Sequence, residues 1–346
     1  MKNKKIIEII QPDDWHVHLR EGKILRTVLK YSTRINKRCI AMPNLKNPLI
    51  NSNLAQKYKK EIVKLSRRNF NVLIPCYLSE KINLKDFRYA IKKKIFFGAK
   101  LYPANATTNS SYGIKNIEKI YPALQILEEE SSYLLIHGEK IDDKIDIFDR
   151  EKFFIDKELT KIRKKFPKLK IVLEHVSFKY GADYVNETNN IAATITPPHM
   201  LSTKKDVFLE DKINPHNFCM PIVKQKSDLK TLRKYACSGN KKFFIGTDSA
   251  PHLIIHKKSN LNSKPGIFSS PCSIELYVDI FDKENSLKNL EKFTSINGPR
   301  FYNLPINKKK IKMIKEKWIL DQYTVMKDIK IKNFFGGQEL NWKVLK

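Results

Sequence analysis

The chain has 346 residues, with 66 lysines and arginines against 36 aspartates and glutamates, and therefore a formal net charge of +30. A chain of this length can bury a large core, either in two ordinary domains or in one large α/β barrel. No run of 18 apolar residues occurs and the apolar stretch at the N-terminus is very short, so we expect neither a membrane span nor a signal peptide. Five widely spaced cysteines without a Cys-x-x-Cys pair argue against a disulfide framework and favour a reducing, cytoplasmic location.

The positive charge makes nucleic-acid binding a candidate function. However, lysines recur along the whole chain, as in residues 92–94 and 308–310, and do not form one arginine-rich stripe interleaved with aromatic residues. Such a distribution is typical of a solvated, lysine-rich surface. We therefore predict no nucleic-acid partner, although the same charge favours anionic small molecules.

Short apolar runs alternate with amphipathic segments along the chain. The runs predict eight strands, at residues 6–19, 38–44, 70–78, 96–103, 133–139, 170–176, 191–199 and 243–252. The segments have the 3.6-residue spacing of helices, at residues 52–68, 83–94, 114–130, 151–166 and 226–237. Eight such alternations predict an α/β fold of the (β/α)8 TIM-barrel type, because no Gly-x-Gly-x-x-Gly follows the first strand to favour a doubly wound sheet. We predict one domain, 1–346, in which residues from about 305 to 346 form a tail that packs on the barrel.

Polar residues stand at the ends of these predicted strands, where (β/α)8 barrels carry their chemistry. They are His16 and His18 on the first strand, Asn44 on the second, Lys100 on the fourth, His137 on the fifth, His175 on the sixth, and Asp248 with His252 after the eighth. Residues i and i+2 of a strand share a face, so His16 and His18 can reach one metal ion.

His137 and His175 each follow an apolar run, and either one alone would more often be a hydrogen-bonded core histidine. The repetition of the pattern favours metal ligation. Glu139 and Glu174 lie beside these histidines, and we expect them to orient a ligand or form salt bridges, although the sequence leaves open an exchange of roles.

Lys100 and Asp248 add chemistry that histidines cannot supply. Lys100 lies in an apolar strand, where burial lowers the pKa of an amine, and a neutral amine can react with carbon dioxide to give a carbamate that bridges two metal ions. The alternative is a lysine that pairs with a carboxylate or extends to solvent. Asp248 can accept a proton from a metal-bound water and return it to a leaving nitrogen, or it can simply cap a helix.

This ordered set of residues resembles the amidohydrolase superfamily. Longer strings are similar to those of the single-function bacterial dihydroorotases, namely PDDWHVHLR at 12–20, MPNL at 42–45, AKLYPANATTNSS at 99–111 and GTDSAPH at 246–252. The sequence departs from that pattern at Pro198, Met220 and Ser270, none of which is an expected metal ligand.

The resemblance implies a reaction and a set of roles. The reaction is the reversible cyclisation of N-carbamoyl-L-aspartate to (S)-dihydroorotate with loss of water, the third step of de novo pyrimidine (UMP) synthesis, in a homodimer. Two zinc ions are implied, one held by His16, His18 and Asp248, the other by His137 and His175, with carboxylated Lys100 and a hydroxide between them. Asp248 would be the catalytic proton carrier.

The implied substrate contacts have three parts. Arg20, Asn44 and His252 would bind the substrate carboxylate, backbone groups near Met220 and Ser270 the pyrimidine ring, and Thr107 and Thr108 a loop that closes over the substrate; His18 and His137 would also contact it. Two alternatives are also compatible with the sequence: another cyclic amide hydrolase, such as a hydantoinase or allantoinase, or a basic barrel that binds RNA or a partner enzyme.

Overall fold

A computed structural model describes residues 4–66, 70–210, 212–260 and 262–345. Its strands are β1 Ile6–Ile10, β2 Asp14–Val17, β3 Arg38–Ala41, β4 Asn71–Leu73, β5 Cys76–Tyr77, β6 Ala99–Leu101, β7 Tyr133–Ile136, β8 Lys170–Leu173, β9 Ile191–Ile195, β10 Phe243–Ile245, β11 Lys310–Ile319, β12 Tyr323–Met326, β13 Ile329–Lys332 and β14 Glu339–Val344. Its α-helices are α1 Gly22–Ile35, α2 Ser52–Leu65, α3 Leu84–Lys92, α4 Tyr121–Glu129, α5 Arg150–Phe154, α6 Thr160–Lys165, α7 Lys179–Glu187, α8 Pro197–Leu201, α9 Lys204–Val207, α10 Lys226–Cys237, α11 Ser273–Lys283 and α12 Asn297–Phe301.

Parallel strands form the predicted barrel. One sheet has the order β10-β9-β8-β7-β6-β5 and another the order β2-β3-β4. Strands β4 and β5 follow each other directly along the chain, which joins the two sheets on one side. On the other side, the His18 amide donates to the Ser249 carbonyl (3.0 Å) and the Asp248 amide to the His16 carbonyl (2.9 Å), so β2 is joined to the chain after β10. The (β/α)8 prediction is confirmed.

The predicted first strand, residues 6–19, is wrong as a single element. Pro12 has no N–H to donate and lies between β1 and β2. Strand β2 is buried on both faces, as a barrel strand must be, whereas β1 has exposed and buried residues, as in a sheet with one solvated face. It pairs antiparallel with β11, with Ile6 opposite Ile314, and β11 pairs in turn with β14.

The C-terminal residues thus form more than a tail, because two of their strands build a three-stranded sheet with the N-terminus. Strands β12 and β13 form a separate hairpin. The assignment of residues 1–346 to one domain stays a prediction.

The amphipathic segments are helical, with differences at their ends. The last of them coincides with α10, and 83–94 contains α3. The segment 114–130 is a 3-10 turn followed by α4, and 151–166 is divided among α5, a π-helical turn and α6. The predicted end of the first segment, residues 67 and 68, lies outside the described residues. No helix in the described part of the chain is long and apolar enough to cross a membrane.

Candidate active site

His16, His18 and Asp248 meet at one end of the barrel. The Nε2 atoms of the two histidines are 3.4 Å apart, and Asp248 Oδ1 lies 3.2 Å from His16 Nε2 and 3.1 Å from His18 Nε2. Burial lowers the pKa of His18 to about 4, so its ring is neutral and has a lone pair available for a metal. Burial opposes ionisation of Asp248, but the neighbouring His16 and the hydrogen bonds from both histidines hold the pKa of its carboxyl well below the usual range.

His137 and His175 form a second pair beside the first. His137 Nδ1 lies 3.2 Å from His175 Nε2, and the other nitrogen of His137 lies 2.7 Å from Glu139 Oε2. A carboxylate on the far nitrogen fixes the orientation of a ligating imidazole. Burial and the charge of His137 lower the pKa of His175 well below its ordinary value, and the Nδ1 atom of His175 has no hydrogen-bond partner.

Lys100 and Glu174 form a buried ion pair between these groups. The Lys100 ammonium contacts Glu174 Oε2, and Glu174 Oε1 lies 3.0 Å from His16 Nδ1. Burial lowers the pKa of Lys100, although Glu174 opposes the shift. Burial also acts to lower the pKa of His16, but the carboxylates of Glu174 and Asp248 outweigh it and raise that pKa to about 9.

Asp14 supports the site, a role that its sequence context does not predict. Its carboxylate accepts hydrogen bonds from the Thr247 amide (2.9 Å), the Thr247 hydroxyl (2.6 Å) and the His16 amide (3.2 Å). It therefore ties the strand end that carries His16 to the segment that carries Asp248. Burial raises the pKa of Asp14 to about 6. The only sign of this role in the sequence is an acidic residue within a run that is predicted to be a barrel strand.

Both His175 and Asp248 have left-handed backbone conformations, with φ of 43° and 45°. Such φ values are uncommon outside glycine, and strained residues of this kind cluster at functional sites. Arg20, with φ of 59°, is a third example at the same end of the barrel.

Arg20 and His252 lie together next to the histidine cluster. The Arg20 guanidinium has Nη2 3.1 Å from His252 Nε2, and its Nε donates to the Pro251 carbonyl at 3.2 Å. Its Nη1 lies 3.5 Å from His18 Nδ1. The expected carboxylate-binding pair is thus directly beside the first metal-ligand group.

Asn44 contacts the loop that carries Thr107 and Thr108. The Asn44 side-chain amide donates to the Thr108 carbonyl (2.8 Å), and the Asn109 side-chain amide donates to the Asn44 carbonyl (3.0 Å). Asn44 Oδ1 and Thr108 Oγ1 are buried without a hydrogen-bond partner, and both residues line the cleft. Asn44 and the loop therefore each place one unpaired polar atom in the wall of the cleft.

One cleft brings most of the predicted residues together. The predicted residues that line it are His16, His18, Arg20, Asn44, Thr107, Thr108, His137, His175, Met220 and Asp248. His252 lies behind Arg20, and Lys100 is fully buried beneath the histidines. Ser270 is not among the lining residues, and its amide donates to Ser249 Oγ at 2.9 Å. Tyr102, Ala250, Pro265 and Gly266 line the cleft without having been predicted.

The donor set fits zinc. A tetrahedral zinc ion with ligand distances of about 2.0–2.1 Å has ligand atoms about 3.3 Å apart. The atoms of the first group are 3.1–3.4 Å apart and those of the His137–His175 pair 3.2 Å apart. Ligand atoms of His16, His175 and Asp248 also lie within 4.8 Å of one another, so the two groups are adjacent.

Comparison with known proteins agrees with this geometry. The model of the amidohydrolase family matches residues 9–320. The dihydroorotase of Buchnera aphidicola subsp. Acyrthosiphon pisum (strain Tuc7) is 44% identical over 346 residues, covering 98% of each chain. That of Yersinia pseudotuberculosis serotype I (strain IP32953) is 40% identical over 341 residues, covering 98% of this chain and 97% of the relative.

A solved structure gives the same result. The crystal structure of dihydroorotase from Saccharomyces cerevisiae in complex with 5-fluoroorotic acid superposes with a TM-score of 0.91 at 31% identity, covering 99% of this chain and 98% of that chain. The chain therefore belongs to the amidohydrolase family and, within it, to the dihydroorotases.

Proposed function

We propose that this chain interconverts N-carbamoyl-L-aspartate and (S)-dihydroorotate, the ring-closing step of de novo pyrimidine synthesis. The observation that carries the proposal is the position of Arg20 and His252 directly beside the His16, His18 and Asp248 group. A cation and a hydrogen-bonding imidazole next to a metal centre suit a cyclic amide that also bears a carboxylate. A hydantoinase or allantoinase substrate lacks that carboxylate, so the pair favours dihydroorotate.

The proposed cofactor is a pair of zinc ions. His16, His18 and Asp248 would hold one ion, His137 and His175 the other, and a carboxylated Lys100 would lie between them. When bound, zinc polarises an amide carbonyl and lowers the pKa of a bound water to about 7. A neutral amine is the form of lysine that reacts with carbon dioxide; burial favours this form of Lys100 while Glu174 opposes it, and conversion to a carbamate would offset part of the metal charge.

The residues of the chain then have three roles in the reaction: substrate binding, exclusion of water and proton transfer. Arg20, Asn44 and His252 bind and orient the substrate carboxylate. The loop with Thr107 and Thr108 excludes water from the cleft. Asp248, ionised and in contact with both His16 and His18, accepts a proton in hydrolysis and gives it to the ring nitrogen; in cyclisation it acts as the acid.

Backbone groups near Met220 and Ser270 are proposed to hold the pyrimidine ring, and Met220 is supported by its position in the cleft wall.

We further propose a cytoplasmic homodimer. All five cysteines are free and buried, in agreement with a reducing compartment. Size-exclusion chromatography with light scattering tests the dimer, and a monomer at micromolar concentration would contradict it.

Metal reconstitution tests the mechanism. The protein, stripped with a chelator and then supplied with zinc and bicarbonate, is expected to hydrolyse dihydroorotate, whereas Lys100→Ala should lose at least about a thousandfold in kcat/KM. Lys93→Ala, an exposed lysine on the preceding loop, is the matched control and should keep parental activity. No activity in the reconstituted parent, full activity in Lys100→Ala, or preferential hydrolysis of hydantoin would reject the proposal.

A further inference from the structure

Lys257 lies outside the cleft and binds three backbone carbonyls. Its half-buried side chain follows a 3-10 turn at Ile254–His256. The ammonium donates to the carbonyl oxygens of Gly266 (2.8 Å), Lys264 (2.9 Å) and Phe218 (3.4 Å). An ammonium has three N–H donors, so these three acceptors use all of them.

Two of the acceptors lie on either side of Pro265. A peptide bond is planar, so the direction of the Pro265 carbonyl is set by how the Pro265–Gly266 peptide is held. Gly266 is packed closely here: its φ is +142°, and a Cβ at this position would lie 2.7 Å from the Ala250 carbonyl oxygen. The Gly266 amide also donates to the Phe218 carbonyl at 2.9 Å. Lys257 and Gly266 thus join the strip 264–266 to the segment that leads to Met220.

The Pro265 carbonyl points at His252. Its oxygen lies 3.0 Å from His252 Nε2, the same nitrogen that lies 3.1 Å from Arg20 Nη2. Burial, Arg20 and Lys257 lower the pKa of His252 well below its ordinary value, so the ring is neutral. A carbonyl can only accept and a guanidinium can only donate, so one neutral nitrogen satisfies one of the two.

The choice between these partners decides whether Arg20 keeps its Nη2 donor for a ligand. With hydrogen on Nε2, His252 donates that hydrogen to the Pro265 carbonyl and leaves Nη2 of Arg20 free to donate to an anion. With a lone pair on Nε2, it would accept from Arg20 and repel an anion. Recognition of a carboxylate by the full guanidinium of Arg20 therefore requires the Nε2–H tautomer of His252.

We infer that Lys257 is a positioning residue for carboxylate recognition: it orients the Pro265 carbonyl, which selects the Nε2–H tautomer of His252. The inference rests on the proposed function, because it assumes that the anion bound next to Arg20 is the substrate carboxylate. Lys257 itself touches neither substrate nor metal ligands, so its loss should weaken substrate binding more than turnover.

Kinetics of Lys257→Met test this role. We expect KM for dihydroorotate to rise about tenfold while kcat stays within about twofold, since the metal ligands keep their positions. Lys257→Arg, which supplies donors to the same carbonyls, should return KM to within about threefold of the parent. Lys258→Met, the exposed neighbour with the same change in charge, should match the parent.

Hydrogen exchange gives a second measurement that needs no activity. The Gly266 amide should exchange at least about tenfold faster in Lys257→Met than in the parent, because the segment 264–266 loses two hydrogen bonds and its link to Phe218 through Lys257. Unchanged exchange, an unchanged KM, or a fall in kcat without a rise in KM would overturn the inference. An inactive parent would reject the proposed function, whereas the exchange comparison would still decide whether Lys257 holds this segment.

Discussion

His199 shows how burial of one side chain makes stability depend on pH. The imidazole is buried in the helix that follows β9, with Nδ1 2.7 Å from Thr196 Oγ1 and Nε2 3.0 Å from the Pro221 carbonyl oxygen. Burial lowers the pKa of His199 from 6.5 to about 4. The unfolded chain therefore takes up this proton first as the pH falls, and stability is lost between about pH 6.5 and 4.

The expected size of this effect follows from linkage. At pH 5, which is about 1.5 units below the unfolded pKa, His199 should cost about 2 kcal/mol of the free energy of unfolding. His199→Gln should remove that part of the acid dependence in urea titrations at pH 7.5 and 5, and His256→Gln, at an exposed site, should keep it. Equal acid losses in the parent and His199→Gln would contradict the assignment.

Some site residues could be predicted from the sequence because their signal is local. His16, Lys100 and Asp248 are polar groups at the ends of apolar strands, where a barrel concentrates its chemistry. Asp14 and Lys257 could not be assigned, because their partners, such as Thr247 and Gly266, are brought to them only by the fold. A single carboxylate or lysine shows no periodic pattern from which its hydrogen-bond partner could be predicted.

Among the elements, α12 supports the strand end that carries His16. A Cβ at Gly298 would lie 1.9 Å from Trp15 Nε1, and Trp15 directly precedes His16. The Trp15 ring is fully buried and packs at a tilt against the Tyr302 ring, with a centroid distance of 4.7 Å. The helix can approach β2 this closely only without a side chain at position 298.

Gly298→Ala should therefore overpack this contact. We expect the free energy of unfolding to fall by about 2–3 kcal/mol in denaturant titrations. Trp15→Phe makes room for the methyl group, so the double variant should be more stable than the sum of the two single losses. Simple additivity would show that the indole and the glycine do not share this space.

The elements themselves were predictable to different degrees. The helix at 226–237 has a regular apolar face and caps at its ends, and its bounds agree with α10. The run at 6–19 forms two strands in different sheets. This division could not be predicted, because an apolar sequence does not indicate which sheet it joins. Irregular turns within 114–130 and 151–166 also leave the 3.6-residue spacing nearly unchanged, so their 3-10 and π segments could not be anticipated.

At the scale of the whole molecule, alternation along the chain predicts the barrel, but not the sheet of β1, β11 and β14. The barrel follows from the order of adjacent units. The extra sheet pairs residues about 300 positions apart, such as Ile6 and Ile314, and no local pattern encodes such a pairing. This sheet also brings N-terminal and C-terminal residues together, because β1 pairs with β11 and β11 pairs with β14.

This sheet is tied to the barrel by polar contacts. The Ile10 amide donates to Glu291 Oε1 (2.8 Å), and Asp282, on α11, accepts from Lys5 (2.8 Å) and Lys315 (2.6 Å). Trp342 Nε1, from β14, donates to the same carboxylate at 3.3 Å. These links cross between the sheet and the barrel helices, which favours one cooperative unit.

Two fully buried tryptophans allow this prediction of a single domain to be tested. Trp15 reports on the barrel and Trp342 on the C-terminal sheet. In Trp318→Phe/Trp342→Phe only Trp15 remains, and in Trp15→Phe/Trp318→Phe only Trp342 remains. Within each variant we expect the fluorescence transition in urea to coincide with the loss of circular dichroism, because the sheet and barrel should unfold together. If Trp342 became exposed at a lower urea concentration than the helices melt, the C-terminal sheet would be a separate unit and the single-domain prediction would be wrong.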